Sequence, residues 1–323
     1  MGGSPNISRI ELDPSAPVVV VGQARSGSTL ATWLLNHGGG LVVNDAYAAQ
    51  IAEGLGAPGP FGGGRAAALP GFRSAALARL RLRSVEGGEP PIHRPTVTTP
   101  AMRRAAEAAE GEDWARLWGA MLYGAAAAGG RAFWGWNTPP DWTRAAEILA
   151  AFPRARFVFV SRGLWAVLRS YKALPEHWGR ERARWHPALQ ARAWAALARG
   201  EARLREKAPS RVHRLDYETL TSEPEATLAA LARFLGVEPF LADPAALERN
   251  ASGAGARLSR AEIWAARAAL GRAGRAMAGP APDAEGLGLG VLAAATGRAG
   301  AFYLAAALRS PDMRGRLWRM ARA

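Results

Sequence analysis

The chain has 323 residues, of which 49% are hydrophobic, and a formal net charge of +14. That is enough apolar sequence for a sizeable core. The chain contains no cysteine, which excludes disulfides, thiolate zinc sites and cysteine nucleophiles. Its five histidines form no i, i+4 pair, so we expect no metal site. No apolar run is long enough to span a membrane, and the first 17 residues lack the apolar core of a signal peptide. We therefore expect a cytoplasmic protein.

The positive charge is spread along the chain. Arginines recur at helical spacing through alanine-rich segments such as 180–207 and 257–275, without the interleaved aromatic and basic residues of a nucleic-acid platform. We therefore expect no nucleic-acid partner. An anionic small molecule accounts for the charge equally well.

Apolar strands alternate with helical segments. The predicted strands, in chain order, are 17–21, 41–43, 133–136, 156–160 and 212–215. The predicted helices are 28–36, 74–83, 101–128, 142–151, a segment from Gly163 to about Tyr171, 187–207, 223–235 and the tail from 287. The helix 101–128 is broken at 111–113, where Asp113 is the N-cap of the second part. This alternation predicts an α/β fold with a central parallel sheet flanked by helices, a helical cap and a loop-rich insertion.

The predicted elements divide the chain into three parts. Residues 1–16 are a polar N-terminal segment, 17–270 an α/β domain, and 271–323 an Ala- and Arg-rich helical tail. Within the domain, residues 57–130 are an insertion that is rich in glycine and proline as far as Pro100 and helical after it.

A glycine-bounded loop follows the first strand and reads Gly-Gln-Ala-Arg-Ser-Gly-Ser-Thr-Leu over residues 22–30. Gly22 and Gly27 let the backbone curl, and amides at the start of the next helix converge on an anion. The spacing is that of a Walker A loop, but Ser28 stands where that motif has lysine. Arg25 is the only charge in the loop. The loop therefore predicts a phosphate-like ligand held differently from the β- and γ-phosphates of ATP.

A second polar pair follows the strand 156–160. Arg162 comes directly after this strand, where open α/β sheets bind ligands, and Ser170 lies about two helical turns further on. Both side chains can therefore reach one phosphate. Taken alone, a surface arginine and a helical serine are the simpler reading.

The two sites together resemble the sulfotransferase family that uses 3′-phosphoadenosine 5′-phosphosulfate (PAPS), in its bacterial, P-loop-like form. The family's first loop is similar to Ala24-Arg-Ser-Gly-Ser-Thr29, and its later Arg and Ser, eight residues apart, are similar to Arg162 and Ser170. A third segment, Leu215-Asp-Tyr-Glu-Thr-Leu220, looks like the family's Tyr-Glu-Asp-Leu segment. The resemblance runs from about residue 17 to 270.

The resemblance implies roles for particular residues. Arg25 would stabilise the leaving phosphate, and Arg162 with Ser170 would bind the 3′-phosphate. Tyr217 would lie near the adenine, and Arg257 would serve the 3′-phosphate. The 5′-phosphosulfate would be held by the remaining loop residues, Gly22, Ser26, Gly27, Ser28 and Thr29, with Leu30 standing where some relatives place a tryptophan against the adenine.

The general base is the least defined part of the pattern. Asp45 follows the second strand, where many bacterial relatives carry a glutamate, and is either the base or a turn-capping residue. His93, in the insertion, is the second candidate. The sequence departs from the family at Asn137, where a basic residue is usual, and at Gly163, where Asp or Asn is common.

These residues predict a sulfotransferase that moves a sulfuryl group from PAPS to a hydroxyl of a small molecule, sugar or lipid, without a metal. They are compatible with a homodimer. The alternatives are a kinase-like P-loop enzyme, which needs the lysine that Ser28 replaces, and a non-catalytic nucleotide-binding module. A basic membrane-surface protein, based on the arginine-rich tail, is a further alternative.

Overall fold

The computed structural model describes residues 12–56, 69–86, 92–174, 183–240 and 256–309. The strands of its main sheet are β1 Val18–Gly22, β2 Gly40–Val43, β5 Phe133–Asn137, β6 Arg156–Ser161 and β7 Val212–Asp216. They are all parallel and lie in the order β2-β5-β1-β6-β7. A separate parallel pair is formed by β3 Ser84–Glu86 and β4 Thr96–Thr98. The predicted α/β class with a central parallel sheet is confirmed.

Helices surround this sheet. They are α1 Ser28–His37, α2 Ala48–Gly54, α3 Leu69–Arg83, α4 Pro100–Ala108, α5 Trp114–Ala128, α6 Ala145–Ala151, α7 Leu164–Lys172, α8 Pro187–Lys207, α9 Tyr217–Ser222, α10 Pro224–Leu235, α11 Arg260–Ala269, α12 Arg272–Ala278 and α13 Leu289–Arg309. Two 3₁₀ segments cover Pro139–Arg144 and Pro209–Arg211. None of the helices in the described ranges is both long and apolar enough to cross a membrane.

The central strand β1 divides the core into two layers. Its valines alternate, so that Val19 and Val21 belong to one apolar cluster and Val18 and Val20 to the other. The first cluster contains the buried faces of α5 and α6, and the second contains those of α1 and α10. Because helices cover both faces, the strand reads as a continuous apolar run.

A third apolar cluster lies apart from the sheet. It joins α7 to α8 and α11, and Ala295 of α13 also belongs to it. The helix α7, which follows β6, is therefore packed against the C-terminal part of the described chain.

The structure corrects two predicted helix starts. The helix predicted from residue 74 begins at Leu69, because proline is tolerated in a first turn, and Pro70 does not break it. The helix predicted from 142 begins at Ala145, after the 3₁₀ turn Pro139–Arg144. The short helices α2 and α9 were not predicted, because six or seven residues show too little periodicity. The rest of the predicted insertion and tail, at 57–68, 87–91 and 310–323, lies outside the described residues.

Candidate active site

The loop after β1 leads directly into the N-terminus of α1. Gly27 is the N-cap of this helix, with a φ of 99° and no side-chain cap. The first helical hydrogen bond runs from the amide of Ala31 to the carbonyl of Gly27 (3.0 Å). The amides of Ser28, Thr29 and Leu30 therefore have no intrahelical acceptor, which makes this helix end a site for an anion.

Two of the predicted loop residues face away from such an anion. The amide of Ser26 donates to the carbonyl of Gln23 (3.0 Å) and closes a turn. The hydroxyl of Ser26 lies 2.8 Å from where a Cβ on Gly22 would be, so it points under the loop. The side chain of Leu30 is wholly buried in the apolar core. Leu30 therefore reaches the loop through its amide and not through its side chain.

Tyr217 packs directly against the loop. It is the first residue of α9, a short helix that Asp216 caps by accepting a hydrogen bond from the amide of Thr219 (3.2 Å). A Cβ at position 27 would overlap the Tyr217 ring. Glycine at this position is thus required twice, by the positive φ and by the ring.

The residues predicted for two separate phosphates meet in one cluster. Arg25 donates from Nε to the hydroxyl of Ser170 (3.1 Å), and Arg162 donates from Nη1 to the carbonyl of Arg25 (3.3 Å). The Arg162 guanidinium lies 4.2 Å above the centre of the Tyr217 ring, within cation–π distance. The backbone of Arg162 is held in turn by Trp194, whose Nε1 donates to its carbonyl (2.8 Å).

One donor of this cluster has no acceptor. The Nε of Arg162 is buried and finds no hydrogen-bond partner among the described residues. Buried donors of charged groups are almost always paired, and an unpaired one costs free energy. The Arg162 guanidinium therefore retains donor capacity beyond its bond to the carbonyl of Arg25.

The site is strongly basic and partly shielded from water. Burial lowers the pKa of the Arg25 guanidinium from its usual value, the neighbouring Tyr171 opposes this effect, and Arg162 adds to it. Arginine nevertheless stays protonated in proteins. Burial also raises the pKa of the Tyr171 hydroxyl above its ordinary range, so this residue stays neutral. Arg25 and Arg162 thus place two positive charges together in surroundings where charge interactions are strong.

Backbone strain is concentrated at the carboxyl ends of β1 and β2. Three non-glycine residues in the described ranges have a positive φ: Arg25 (73°), Asp45 (48°) and Tyr47 (52°). Residues in this region cost about 1–3 kcal/mol each and cluster at functional sites. Arg25 lies after β1, and the other two lie after β2. The candidate site therefore extends across the carboxyl ends of both strands.

A chain of amide side chains holds Asp45. Asn137, at the end of β5, donates from Nδ2 to Oδ1 of Asn44 (2.7 Å), and Asn44 donates from Nδ2 to Oδ2 of Asp45 (3.3 Å). The carboxylate also forms an ion pair with Arg83 (3.3 Å). Asn137, the departure from the family pattern, thus holds the turn that contains Asp45 through Asn44 and through the amide of Ala46.

Sequence reasoning missed Tyr47. Its amide donates to the hydroxyl of Thr138 (3.0 Å), and Arg79 lies 5.7 Å from the centre of its ring. Together with Tyr303 of α13, it contributes to raising the pKa of Tyr171. Tyr47 and Tyr303 thus lie near Tyr171, which neighbours Arg25. Only the strained φ marks Tyr47, and no sequence pattern shows that.

His93 and Arg257 lie at the margins. His93 is exposed, and the carbonyl of Pro95, two residues later, accepts from Nδ2 of Asn36 (3.0 Å) in the last turn of α1, the end of that helix away from the loop. Arg257 is exposed, and its carbonyl accepts from Nζ of Lys172 (2.7 Å), two residues after Ser170. In the described ranges, no group of three or more acidic, histidine or cysteine side chains could hold a metal ion.

A model of the sulfotransferase family matches residues 17–242, more than half of the chain. The chain belongs to the sulfotransferase family. Its parallel sheet with the loop after β1 is the family's P-loop-like α/β fold, and the protein is a sulfotransferase enzyme. No curated protein sequence matches this sulfotransferase closely enough to be reported as a relative.

Solved structures similar to this sulfotransferase include two sulfotransferase domains and one mycobacterial sulfotransferase. The sulfotransferase domain of the Synechococcus PCC 7002 olefin synthase shares 16% identity over 80% of this chain and 95% of that one, with a TM-score of 0.45. The sulfotransferase domain from the curacin biosynthetic pathway shares 16% over 74% and 78%, with a TM-score of 0.43. The sulfotransferase STF9 from Mycobacterium avium shares 15% over 76% and 70%, with a TM-score of 0.41.

Proposed function

We propose that this sulfotransferase moves a sulfuryl group from PAPS to a hydroxyl group of an acceptor. The observation that carries the proposal is the cluster of Arg25, Arg162 and Ser170 beside the unpaired amides of α1. PAPS has two anionic ends, and the cluster has two kinds of anion-binding groups side by side. The two neighbouring positive charges of Arg25 and Arg162 favour an anionic ligand.

The residues divide between binding and charge stabilisation. PAPS supplies an activated sulfuryl group on its 5′-phosphate. The amides of Ser28, Thr29 and Leu30, with the two hydroxyls of this turn, bind the phosphosulfate end. Arg162 and Ser170 bind the 3′-phosphate end, and the Tyr217 ring packs against the Arg162 guanidinium and holds it in place. Arg25 offsets the negative charge that develops on the leaving oxygen, the kind of stabilisation that contributes most in a preorganised site.

Asp45 accepts the proton of the acceptor hydroxyl in this proposal. It lies at the carboxyl end of β2, on the same edge of the sheet as the loop, where ligands of parallel sheets bind. Its carboxylate is oriented by Asn44, as a general base must be. The exposure of His93 and its position beside the far end of α1 favour Asp45 over His93. The acceptor then enters on the side of Tyr47 and Tyr171.

Thermal shift measurements with three ligands test the proposal. We expect 3′-phosphoadenosine 5′-phosphate to raise the melting temperature, AMP to raise it less, and ATP with magnesium to leave it unchanged. Arg162→Met should remove most of the shift, whereas Arg203→Met, at an exposed position on α8, should keep it. A larger shift with ATP and magnesium than with the bisphosphate would overturn the proposal in favour of a kinase-like enzyme. A bisphosphate shift with no transfer to any hydroxyl acceptor would leave a binding module.

A further inference from the structure

Exposed apolar side chains are concentrated in the C-terminal part of the described chain. Nine large hydrophobic residues are exposed in the described ranges, and six of them lie between residues 264 and 304. We call these six the C-terminal patch; they are Trp264, Met277, Leu287, Leu289, Val291 and Leu304. Trp264 is 70% exposed, which is unusual for the side chain with the largest apolar area. A concentration of this kind marks an interaction surface.

The surface around Trp264 carries a net positive charge. Residues 256–280 contain five arginines, all of them exposed: Arg257, Arg260, Arg267, Arg272 and Arg275. The one acidic residue in this range, Glu262, is buried and forms an ion pair with Lys172 (2.9 Å). Its charge is therefore neutralised inside the protein. The next segment adds two exposed carboxylates, Asp283 and Glu285, so that five exposed arginines outnumber two exposed acidic residues.

The apolar and basic groups share one face. The exposed positions of α11 include Arg260, Trp264 and Arg267, at i, i+4 and i+7, so the indole lies between two arginines on the same side of the helix. The amide of Ala261 donates to the carbonyl of Leu287 (3.0 Å), which places the segment leading into α13 beside the start of α11.

The outer face of α13 continues the apolar surface. A Cβ added at Gly290, Gly297 or Gly300 would meet no atom within 4 Å, so the helix surface is open at these three positions. Arg298 is the one charged residue before the last turn of the helix. The helix exposes Leu289, Val291 and Leu304 among small residues, and it carries no acidic side chain of its own.

We propose that the C-terminal patch docks on an anionic lipid surface. Tryptophan favours the boundary between headgroups and acyl chains, and the aliphatic side chains enter the apolar layer. Arginines on the same face are attracted to the negative headgroups. Net charge decides between occupants: a second copy related by a two-fold axis would bring one surface of net positive charge against another. A nucleic acid matches the charge but gives no reason for the exposed aliphatic residues.

The patch lies close to the candidate active site. Ile263 and Ala266 of α11 belong to the same apolar cluster as Val167 of α7, the helix that carries Ser170. Tyr303 of α13 lies near enough to Tyr171 to interact with it electrostatically, and Tyr171 in turn neighbours Arg25. A protein docked through this patch holds its site beside the lipid surface. Resting on the proposed function, the acceptor is then an amphiphile whose hydroxyl is presented at that surface.

Vesicle sedimentation tests the docking without donor or acceptor. We expect the full chain to sediment with phosphatidylcholine vesicles containing phosphatidylglycerol, and not with phosphatidylcholine alone. Trp264→Ser should reduce the bound fraction, and Arg260→Glu with Arg267→Glu should reduce binding at least about 20-fold, since each arginine near such a surface contributes about fivefold. The matched controls are Leu82→Ser, at another exposed leucine, and Arg104→Glu with Arg203→Glu, which change the net charge equally. Both should bind as the natural chain does.

The other outcomes overturn the docking proposal. Absence of sedimentation with anionic vesicles overturns it, and so does equal loss of binding in the control variants. A concentration-dependent dimer that Trp264→Ser dissociates assigns the patch to a second copy, and binding to single-stranded RNA without vesicle binding assigns it to nucleic acid. Each variant should keep the bisphosphate thermal shift, which shows that it is folded. Vesicle binding requires no sulfuryl transfer. If the natural chain bound anionic vesicles but showed no thermal shift with the bisphosphate, the proposed function would be rejected and the docking proposal would stand.

Discussion

Arg25 and Ser170 are 145 residues apart in the chain, yet the Nε of the arginine donates to the hydroxyl of the serine at 3.1 Å. The contact joins the loop after β1 to the helix after β6, the strand paired with β1 in the sheet. It fixes a long, flexible side chain that would otherwise lose conformational entropy when it binds an anion. The two predicted phosphate sites are therefore parts of one site, with Arg25 at their junction.

Replacement of Arg25 should separate charge stabilisation from binding. We expect Arg25→Ala to lower kcat about 10²–10³-fold, the usual cost of one stabilising donor in a preorganised site. The affinity for 3′-phosphoadenosine 5′-phosphate should fall less than about tenfold, because the amides of α1 and Arg162 remain. Transfer of labelled sulfate to a panel of hydroxyl compounds and calorimetric titration measure the two effects. A kcat within about tenfold of the natural value would assign Arg25 to binding only.

The hydrogen bond between Arg25 and Ser170 predicts non-additive effects. Ser170→Ala removes both a ligand for the phosphate and the anchor of Arg25, so we expect weaker bisphosphate binding and a lower kcat. In Arg25→Ala with Ser170→Ala, the loss in kcat/KM should be smaller than the sum of the two single losses, because neighbours in one network couple. A double-mutant cycle of kcat/KM measures this coupling. Simple additivity would show that the contact has no role in the reaction.

The strained backbone at Arg25 predicts a difference in stability between two variants at this position. A φ of 73° costs glycine nothing but is unfavourable for alanine. Arg25→Gly should therefore be more stable than Arg25→Ala by about 1 kcal/mol, although both lack the guanidinium. Urea unfolding of the two variants provides the comparison. Equal stability would mean that the loop relaxes when the side chain is removed.

Most of the fold follows from local patterns in the sequence. The continuous apolar run of β1 predicts a strand covered on both faces, and Asp113 marks a helix start that the structure confirms. The start of α3 was predicted too late, because Pro70 and Gly71 suggest a loop unless their place in the first turn is known. Local signals thus suffice wherever a segment is long enough to show a period.

The candidate site was predictable only in part, for a physical reason. The loop residues and Arg162 are identified by their place after buried strands. The link between Asn137 and Asn44 is different, since it depends on the register of β5 with β2, which no local pattern specifies. Tyr47 is marked by backbone strain that the surrounding fold imposes. Such residues become visible only after the strands are aligned.

The amide chain behind Asp45 predicts a positioning residue. Asn44→Ala should lower kcat about tenfold or more while the KM for the donor stays within about twofold, because the partners of Asn44 are Asp45, Asn137 and Thr96 and none of them is a loop residue. Asn44→Asp tests the hydrogen bond specifically, since it keeps the shape but places a second carboxylate beside Asp45. Steady-state kinetics with the donor varied at fixed acceptor measures the effect. An increase in the KM for the donor at unchanged kcat would instead connect Asn44 to donor binding.

The stability of the protein should fall on mild acidification because of His213. This residue lies on β7 and stacks on Phe234, with ring centres 5.1 Å apart. Burial lowers the pKa of its imidazole from the ordinary value, and Arg205 lowers it further. The unfolded chain therefore takes up a proton first as the pH falls through about 6.5, and the free energy of unfolding decreases from there down to the lowered pKa of the folded state.

His213→Gln should remove part of this pH dependence. Burial also lowers the pKa of His186, so the combined variant with His186→Gln should show a still flatter profile. Melting temperatures between about pH 7.5 and 5 provide the measurement. Above the ordinary histidine pKa both imidazoles are neutral in the folded and the unfolded chain, so no change in slope is expected there. A variant that lost stability on acidification as steeply as the natural chain would assign the effect to groups other than His213.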